Sequence, residues 1–157
     1  MKKGGFFLNK YAKFGVMIAT STILMYVFMY FNVFQLDHIF FSETRAYMAL
    51  MMGSVMAIVM LVFMWNMYDK RRLNTLILAG SAAVLVLSIW LMRSQSTVED
   101  VSWMKAMIPH HSIAILTSER ANLSDPRVQE LANSIIEAQR KEIDEMKKLI
   151  EEIENQK

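Results

Sequence analysis

Three long apolar runs, separated by short polar stretches, occupy most of the first 92 residues. They cover residues 14–34, 47–67 and 75–92. Each has close to the roughly 20 residues that a helix needs to cross the hydrocarbon core of a bilayer. The first run is longer than the apolar core of about 7–15 residues in a signal peptide, and no small-residue cleavage site follows it. We therefore predict that residues 1–94 form a membrane domain with three transmembrane helices.

Residues 95–157 have a different pattern, with apolar positions recurring at alternating steps of three and four. This spacing is typical of helices that pack on helices. It predicts two helices joined by a short turn at 122–125, and so an αα-hairpin domain over 95–157. The predicted seam positions are Val101, Met104, Ile108, His111 and Ile115 in the first helix, and Leu131/Ala132, Ile135/Ile136, Gln139, Ile143, Met146, Ile150 and Ile153 in the second. The predicted fold class is thus all-α.

Local signals predict where the two hairpin helices begin. Ser96 with Glu99 fits a capping box, in which a hydroxyl and a carboxylate satisfy free amides at a helix start. Asp125 before Pro126 fits an N-cap followed by a first-turn proline. Pro109 removes one backbone donor from the first helix, so we expect a kink or a break there.

The distribution of charge predicts how the chain is oriented. Residues 1–94 carry nine Lys and Arg against three acidic residues, whereas residues 95–157 carry eight against twelve. The basic residues flank apolar runs, which indicates membrane topology and not nucleic-acid binding. The positive-inside rule places the N-terminus and Lys70–Arg72 in the cytoplasm, and the loop Asp37–Arg45 and the hairpin outside. We expect a multi-pass protein of the bacterial inner membrane with an extracytoplasmic hairpin; the basic residues of the N-terminus are Lys2, Lys3, Lys10 and Lys13.

Composition restricts the chemistry that is available. The chain has no cysteine and 15 methionines, which excludes disulfides, thiolate metal sites and a cysteine nucleophile. No Ser-His-Asp grouping, phosphate loop or dinucleotide fingerprint is present, so we predict that the protein is not an enzyme. Any soft-metal chemistry must then use thioether and imidazole, since thioether sulfur favours Cu(I) and Ag(I) and imidazole also suits copper.

One segment of the hairpin concentrates these soft ligands. Met104, Met107, His110 and His111 fall on one broad helix face, and Met146 is expected to face them from the second helix. These five residues are the candidate ligands of a Cu(I) site. Gln139 and Glu142 could orient an imidazole through its second nitrogen. The alternative is that the methionines fill the core, which methionine does well, and that the histidines form a polar pair after Pro109.

Two other features have both a metal-binding and a structural interpretation. Methionines recur at every fourth position of the second span, from Met48 to Met64. They could form a thioether track for Cu(I), but an adaptable packing surface is favoured, and the spans lack the charged or broken-helix features of a transporter. His38, beside Asp37, could be an extra ligand, although a solvated loop histidine is favoured. The ladder consists of Met48, Met52, Met56, Met60 and Met64, with Met51 and Met67 beside it.

The hairpin sequence resembles the bacterial domain-of-unknown-function family numbered 305. The resemblance covers residues 97–151 and rests on Met107-Ile108-Pro109-His110-His111 and, later, on Gln139-Arg140-Lys141-Glu142-Ile143-Asp144-Glu145-Met146. The three-span front resembles the membrane-bound subgroup. The resemblance implies a ferritin-like helical domain outside the cytoplasmic membrane. Some relatives bind copper in the periplasm through Met and His, which points to Met104, Met107, His110, His111 and Met146.

The hairpin is too small to bury a large core, so we expect a homo-oligomer that completes a four-helix-bundle-like unit. Longer relatives in the family have more helices, which implies that a complete site needs two chains here. The leading hypothesis is a membrane-anchored copper protein for metal tolerance, storage or handover, acting with other copper-handling proteins and without nucleic acid. The alternative is a structural protein that assembles through its C-terminal helices and uses no metal.

Overall fold

The computed structural model describes residues 9–156, which contain helices and no β-strand, and this confirms the all-α class. Lys2 and Lys3, on which part of the predicted orientation depends, lie outside the described residues. Two short 3₁₀ turns cover Leu36–His38 and Trp65–Met67. The five helices are α1 (Lys10–Phe28), α2 (Glu43–Phe63), α3 (Arg71–Ser94), α4 (Asp100–Arg120) and α5 (Pro126–Asn155).

Helices α1, α2 and α3 are long and apolar enough to cross a membrane. Their most apolar windows have mean hydropathies of 1.4, 2.2 and 2.2. These three helices therefore support the prediction of a membrane protein with three candidate spans. The first helix differs from its predicted span, because α1 ends at Phe28 and residues 29–32 form turns.

The described chain divides into two compact units. The first unit contains the chain up to Tyr26 together with Ala46–Ser94, and so most of α1, α2 and α3. Its buried cluster consists of Phe14, Ala57, Leu61 and Tyr68. Tyr11 fixes the start of α1, since its hydroxyl donates to Asn74 Oδ1 at 2.8 Å and accepts the Lys70 amide at 3.0 Å.

Within the first unit, α1 and α2 approach each other closely at Gly53. A Cβ added to Gly53 would lie 2.2 Å from Thr22 Oγ1 and 3.2 Å from Thr22 Cβ and Cγ2. Small residues permit this kind of approach between membrane helices. Gly15 and Gly80 differ, because a Cβ at either one would meet nothing within 4 Å.

The second unit contains Val27–Arg45 together with the chain from Gln95 onward. Helices α4 and α5 form the predicted hairpin, and their facing sides bury a cluster to which Phe34 and Phe40 add partly buried rings. The compact unit that contains the hairpin thus also includes the segment between α1 and α2. The buried cluster consists of Met104, Ile108, Ile115, Ile143, Met146 and Ile150.

The segment 27–45 is held by specific polar contacts. Arg45 Nη1 donates to the Met29 carbonyl, and its guanidinium lies 4.4 Å from the centre of the Tyr30 ring, within cation–π range. Ser42 Oγ accepts the Arg45 amide at 3.2 Å, which satisfies one free donor at the start of α2. These contacts explain why the apolar residues 29–34 leave the first span.

Of the predicted helix starts and the predicted effect of Pro109 in the hairpin, the structure confirms some and not others. The predicted N-cap is confirmed, since Asp125 Oδ1 accepts the Arg127 amide at 2.9 Å and Pro126 is the first residue of α5. The predicted capping box is wrong, because α4 begins at Asp100 and its N-cap residue, Glu99, makes no side-chain capping bond. Pro109 does not break α4, which remains helical from Asp100 to Arg120.

Candidate functional site

The three methionines of the hairpin lie at one buried cluster. Met104 on α4 and Met146 on α5 are members of the cluster, and Met107 packs against it from the side. Met104 and Met146 are only 5% and 7% exposed. The turn at 121–125 makes α4 and α5 antiparallel neighbours, so residues far apart in sequence contribute thioethers to the same core.

His111 is half-buried and bonded at both ring nitrogens. Its Nδ1 lies 3.0 Å from the Met107 carbonyl oxygen, and its Nε2 lies 2.7 Å from Glu142 Oε2. Both partners accept hydrogen bonds, so the ring can donate to both only when it carries two protons. In the neutral ring, a proton on Nδ1 that is donated to the Met107 carbonyl leaves the Nε2 lone pair on the side of Glu142.

The two remaining members of the predicted site lie apart from these bonds. His110 is exposed, with its ring centroid 6.3 Å from that of His111. Gln139 is half-buried, and within residues 9–156 no hydrogen bond joins it to either histidine. Of the two side chains predicted to orient an imidazole, Glu142 is therefore the one that contacts a ring.

An open cleft of about 450 Å³ lies beside Met104 near the start of α4. Glu99 and Asp100 supply carboxylates to its lining, and Trp103 supplies an aromatic ring. The cleft gives the otherwise buried Met104 side chain an approach from solvent, and acidic residues at the approach favour cations.

No hard-ligand metal site is present in the part of the chain that the structure describes. Over that part, no group of three or more His, Asp or Glu side chains is positioned to hold a metal ion. Calcium and magnesium sites use oxygen ligands, and zinc sites combine imidazole with carboxylate or thiolate. The donors that do lie together are thioethers, with the His111 imidazole above Met107.

His38 is buried, so the favoured expectation of a solvated loop histidine is wrong. Its exposed fraction is 6%, and its Nδ1 lies 2.9 Å from Ser112 Oγ on α4. Ser112 Oγ also accepts the Phe34 amide at 2.6 Å. Since the hydroxyl proton of Ser112 is then free to be donated, it fits the lone pair on Nδ1 of a neutral imidazole. The His38 ring is therefore engaged with the hairpin.

Charged groups from α5 surround this histidine. Lys147 Nζ donates to Asp37 Oδ2 at 2.6 Å, and this bond lowers the pKa of Asp37. Burial lowers the pKa of His38 below its ordinary value, and the positive charge of Lys147 acts in the same direction. Asp37 and Asp144 oppose both effects. The Asp37 carboxylate is too distant to bond the ring directly, with 3.9 Å between Oδ1 and Nε2.

Ser112 and Lys147 are the contact residues that the sequence analysis missed. The predicted seam placed His111 at the core position, but the structure buries Ser112 there, with no exposed surface. The steps from Ile108 to Ser112 and on to Ile115 are four and three, so the spacing contained this signal. Composition does not reveal it, because a serine is small and polar and is more often found on a surface than in a core.

The methionine ladder of α2 is half-buried along its length. Met60 and Met64 pack against the cluster that contains Phe14 and Leu61. Both therefore contribute to packing in the first unit, which is the interpretation that was favoured from sequence.

Comparison with known proteins identifies the family. A family model described as "Domain of unknown function (DUF305)" matches residues 90–157. The chain is also similar to "Uncharacterized protein L153" of Acanthamoeba polyphaga mimivirus, with 30% identity over 108 residues that span 68% of this chain and 69% of the relative. No solved structure matches this chain significantly. The match to the family model and the extent of the similarity together show that the chain belongs to the DUF305 family.

Proposed function

We propose that this protein is a membrane-anchored Cu(I) and Ag(I) binding protein that serves metal tolerance, storage or handover to other copper-handling proteins. The observation that carries the proposal is the position of Met104, Met107 and Met146 at one cluster of a chain without cysteine. Thioether sulfur is a soft ligand that selects Cu(I) over harder cations. The proposed role involves no catalysed reaction.

The histidines supply the imidazole part of the proposed ligand set. A metal on His111 would take the place of the Nε2 proton and would displace the 2.7 Å contact with Glu142, while Nδ1–H donates to the Met107 carbonyl and holds the ring in position. Glu142 would remain nearby as a counter-charge. His110, exposed on the same helix, is a candidate for first capture.

The proposed location is the bacterial inner membrane, with the N-terminus in the cytoplasm and the hairpin outside. This orientation is supported by the positive-inside rule, since Lys10 and Lys13 lie near the start of α1 and Lys70–Arg72 lie at the start of α3. Since the chain has no cysteine, single cysteines at Leu36 and Lys70 can be labelled in intact cells. We expect a membrane-impermeant maleimide to label Leu36→Cys and not Lys70→Cys. Labelling of Lys70→Cys alone would show that the protein has the opposite orientation.

Titration with Cu(I) under reducing conditions, in competition with a chromogenic chelator, tests the metal proposal. The full chain in detergent is compared with Met104→Leu/Met146→Leu, because leucine keeps the apolar volume and removes the sulfur. Ile150→Leu in the same cluster is the matched control. We expect the double variant to lose the tightest site and its Cu–S signal in X-ray absorption, whereas the control keeps both.

Methionines outside the cluster contribute the same background Cu(I) binding to the wild type, the double variant and the control. The site is therefore judged from the difference in Cu(I) binding between these three proteins. Equal stoichiometry and affinity in the wild type and the double variant would contradict the proposal. Met104 and Met146 would then be interpreted as residues that only fill the core.

A second candidate function, assembly without metal, is favoured by one observation. The apolar seam of α5 continues beyond the core onto an exposed surface at Val128, Leu131 and Ile135. This surface fits a second copy, whereas Ile143 and Ile150 are used within the chain's own hairpin. Leu131→Glu/Ile135→Glu is expected to reduce the oligomer mass in light scattering with a chelator present. An unchanged mass would exclude this surface as the interface.

A further inference from the structure

We infer that His38 and Ser112 form a pH-sensitive latch, which holds the segment 34–40 against the α4–α5 hairpin at neutral pH and releases it on acidification. The latch acts within the second unit and does not depend on metal binding. Its parts are a buried imidazole, a fully buried hydroxyl, and a charged pair on the solvent side.

The segment 34–40 reaches the hairpin through a few polar bonds and two partly buried rings. Ser112 Oγ accepts the Phe34 amide at 2.6 Å and lies 2.9 Å from His38 Nδ1, so one hydroxyl serves two groups of the segment. Phe34 and Phe40 cover the buried cluster beside it. Loss of the Ser112 contacts therefore loosens two bonds at once.

The bonds around Ser112 suit a neutral His38 imidazole. The Ser112 hydroxyl accepts from the Phe34 amide and donates its proton to His38 Nδ1. A doubly protonated ring has a donor at Nδ1, which then faces the serine hydrogen. The hydroxyl must rotate away, and a positive charge is left on a ring that is only 6% exposed, which is costly without a direct partner.

Charged groups of the 3₁₀ turn and of α5 face the His38 ring. Asp37 belongs to the same 3₁₀ turn, and its carboxylate is held by Lys147 from α5. Asp144 and Arg140 of α5 line the small polar cavity beside His38. Arg140 is paired with Glu119 of α4 at 2.5 Å. Because the Asp37 carboxylate is already bonded to Lys147, it cannot fully compensate for the positive charge of a protonated His38.

The latch predicts a sequence of events as the pH falls. Protonation of His38 disrupts the Ser112 contacts, the segment 34–40 moves away from α4, and the apolar rings of Phe34 and Phe40 become exposed. The hairpin itself keeps its α4–α5 core. An extracytoplasmic position would subject this switch to the pH of the surroundings and not to the buffered pH of a cytoplasm.

Distance measurement between two spin labels tests the release in the full chain. Leu36→Cys and Lys148→Cys are both exposed and are the only cysteines in that variant. We expect a narrow distance distribution at pH 7.5 that becomes broad and longer as the pH falls toward 5. NMR titration of the imidazoles, of which the chain has only three, gives the pKa of His38 independently. The midpoint of the release should coincide with that pKa.

Four substitutions make the test specific. His38→Gln retains an acceptor for Ser112 without a titrating group, so its segment should stay docked at pH 5. His110→Gln is the matched control, because it removes an exposed histidine and should leave the transition unchanged. Lys147→Gln should move the midpoint to higher pH and Asp144→Asn to lower pH, since these charges act on the ring with opposite sign.

Several results would overturn the latch. They are a distance distribution that does not change between pH 7.5 and pH 5, an equal transition in His38→Gln, and shifts of the same sign in Lys147→Gln and Asp144→Asn. Should His38→Gln fail to fold, the opposite shifts in the two α5 variants still decide the matter, because both retain the histidine.

Discussion

Gly53 offers a direct test of how closely α1 and α2 pack. Substitution of a helix glycine by alanine normally stabilises a helix by about 0.8–1 kcal/mol. At Gly53 the new Cβ would lie 2.2 Å from Thr22 Oγ1, a distance that requires movement. Rotation of Thr22 gives little relief, since its Cβ and Cγ2 would lie 3.2 Å away and its hydroxyl donates to the Ile18 carbonyl at 2.8 Å.

The size of the effect follows from two opposing contributions. Overpacking costs about 1–3 kcal/mol, whereas Gly15→Ala and Gly80→Ala meet no atom within 4 Å and keep the gain in helix propensity. The 2.2 Å approach puts the overpacking cost of Gly53→Ala in the upper part of that range, about 2–3 kcal/mol. After subtraction of a propensity gain of about 1 kcal/mol, we expect a net destabilisation of the first unit by about 1–2 kcal/mol. Both control variants should be as stable as the wild type or slightly more stable.

The assay is reversible unfolding in mixed micelles with increasing SDS, followed by circular dichroism. A double-mutant cycle with Thr22→Ala separates the clash from other effects, because neighbouring residues show non-additive energies. Thr22→Ala/Gly53→Ala should recover most of the lost stability. The close approach would be refuted if Gly53→Ala matched Gly15→Ala, or if the double variant were no more stable than the Gly53 variant.

Three further predictions concern other contacts. Ile108→Ala should destabilise the hairpin by about 2–5 kcal/mol, the usual cost of a cavity at a fully buried isoleucine, measured as faster hydrogen exchange in α4 and α5. Tyr11→Phe should destabilise the first unit by about 1–3 kcal/mol, because buried Asn74 loses a hydrogen-bond partner, measured by the SDS titration. Burial lowers the pKa of His38, so the unfolded chain binds more protons between that pKa and the ordinary value of about 6.5. The second unit should therefore be fully stable above about pH 6.5 and should lose stability as the pH falls from there to the pKa of His38 in the folded protein. Thermal unfolding should show this loss in the wild type and not in His38→Gln.

Long-range periodicity was the part of the fold that the sequence predicted well. The three apolar runs and the 3-4 seam specify helices directly, and the seam also specifies most of the face that the hairpin buries, although Leu131 and Ile135 remain exposed. Ile108, Ile143 and Ile150 lie in the core as their spacing required. The N-cap at Asp125 was also predictable, since capping by a carboxylate before a first-turn proline depends only on adjacent residues.

The segment 27–45 was not predictable in the same way. Phe34 was counted in the first span because an apolar side chain can be buried by lipid or by protein, and composition does not distinguish the two. The structure distinguishes them, because Ser112 accepts the Phe34 amide and Arg45 donates to the Met29 carbonyl. The same limitation applies to the candidate site, where the spacing grouped His110 with the methionines but could not show that Glu142 engages His111.

The composition of the second unit has a consequence for work on the hairpin alone. A fragment of residues 95–157 lacks Phe34 and Phe40, which pack against the buried cluster, and leaves Ser112 without its amide partner. Residues 27–45 joined to this fragment through a flexible Gly-Ser linker should restore both contacts. A net gain of about 1 kcal/mol corresponds to about 4–8 °C in the unfolding temperature of a domain of this size.

The fusion should therefore unfold at a higher temperature than the bare fragment at pH 7.5, and Ser112→Ala should remove part of the difference. The bare fragment carrying Ser112→Ala is the matched control, because it has no segment to lose. Equal unfolding temperatures for the fusion and the bare fragment would mean that the segment contributes nothing to the hairpin. The latch would then have no stabilising contact to release. A difference that disappears toward pH 5 in the fusion, and persists in its His38→Gln form, would tie the stabilisation to the neutral imidazole.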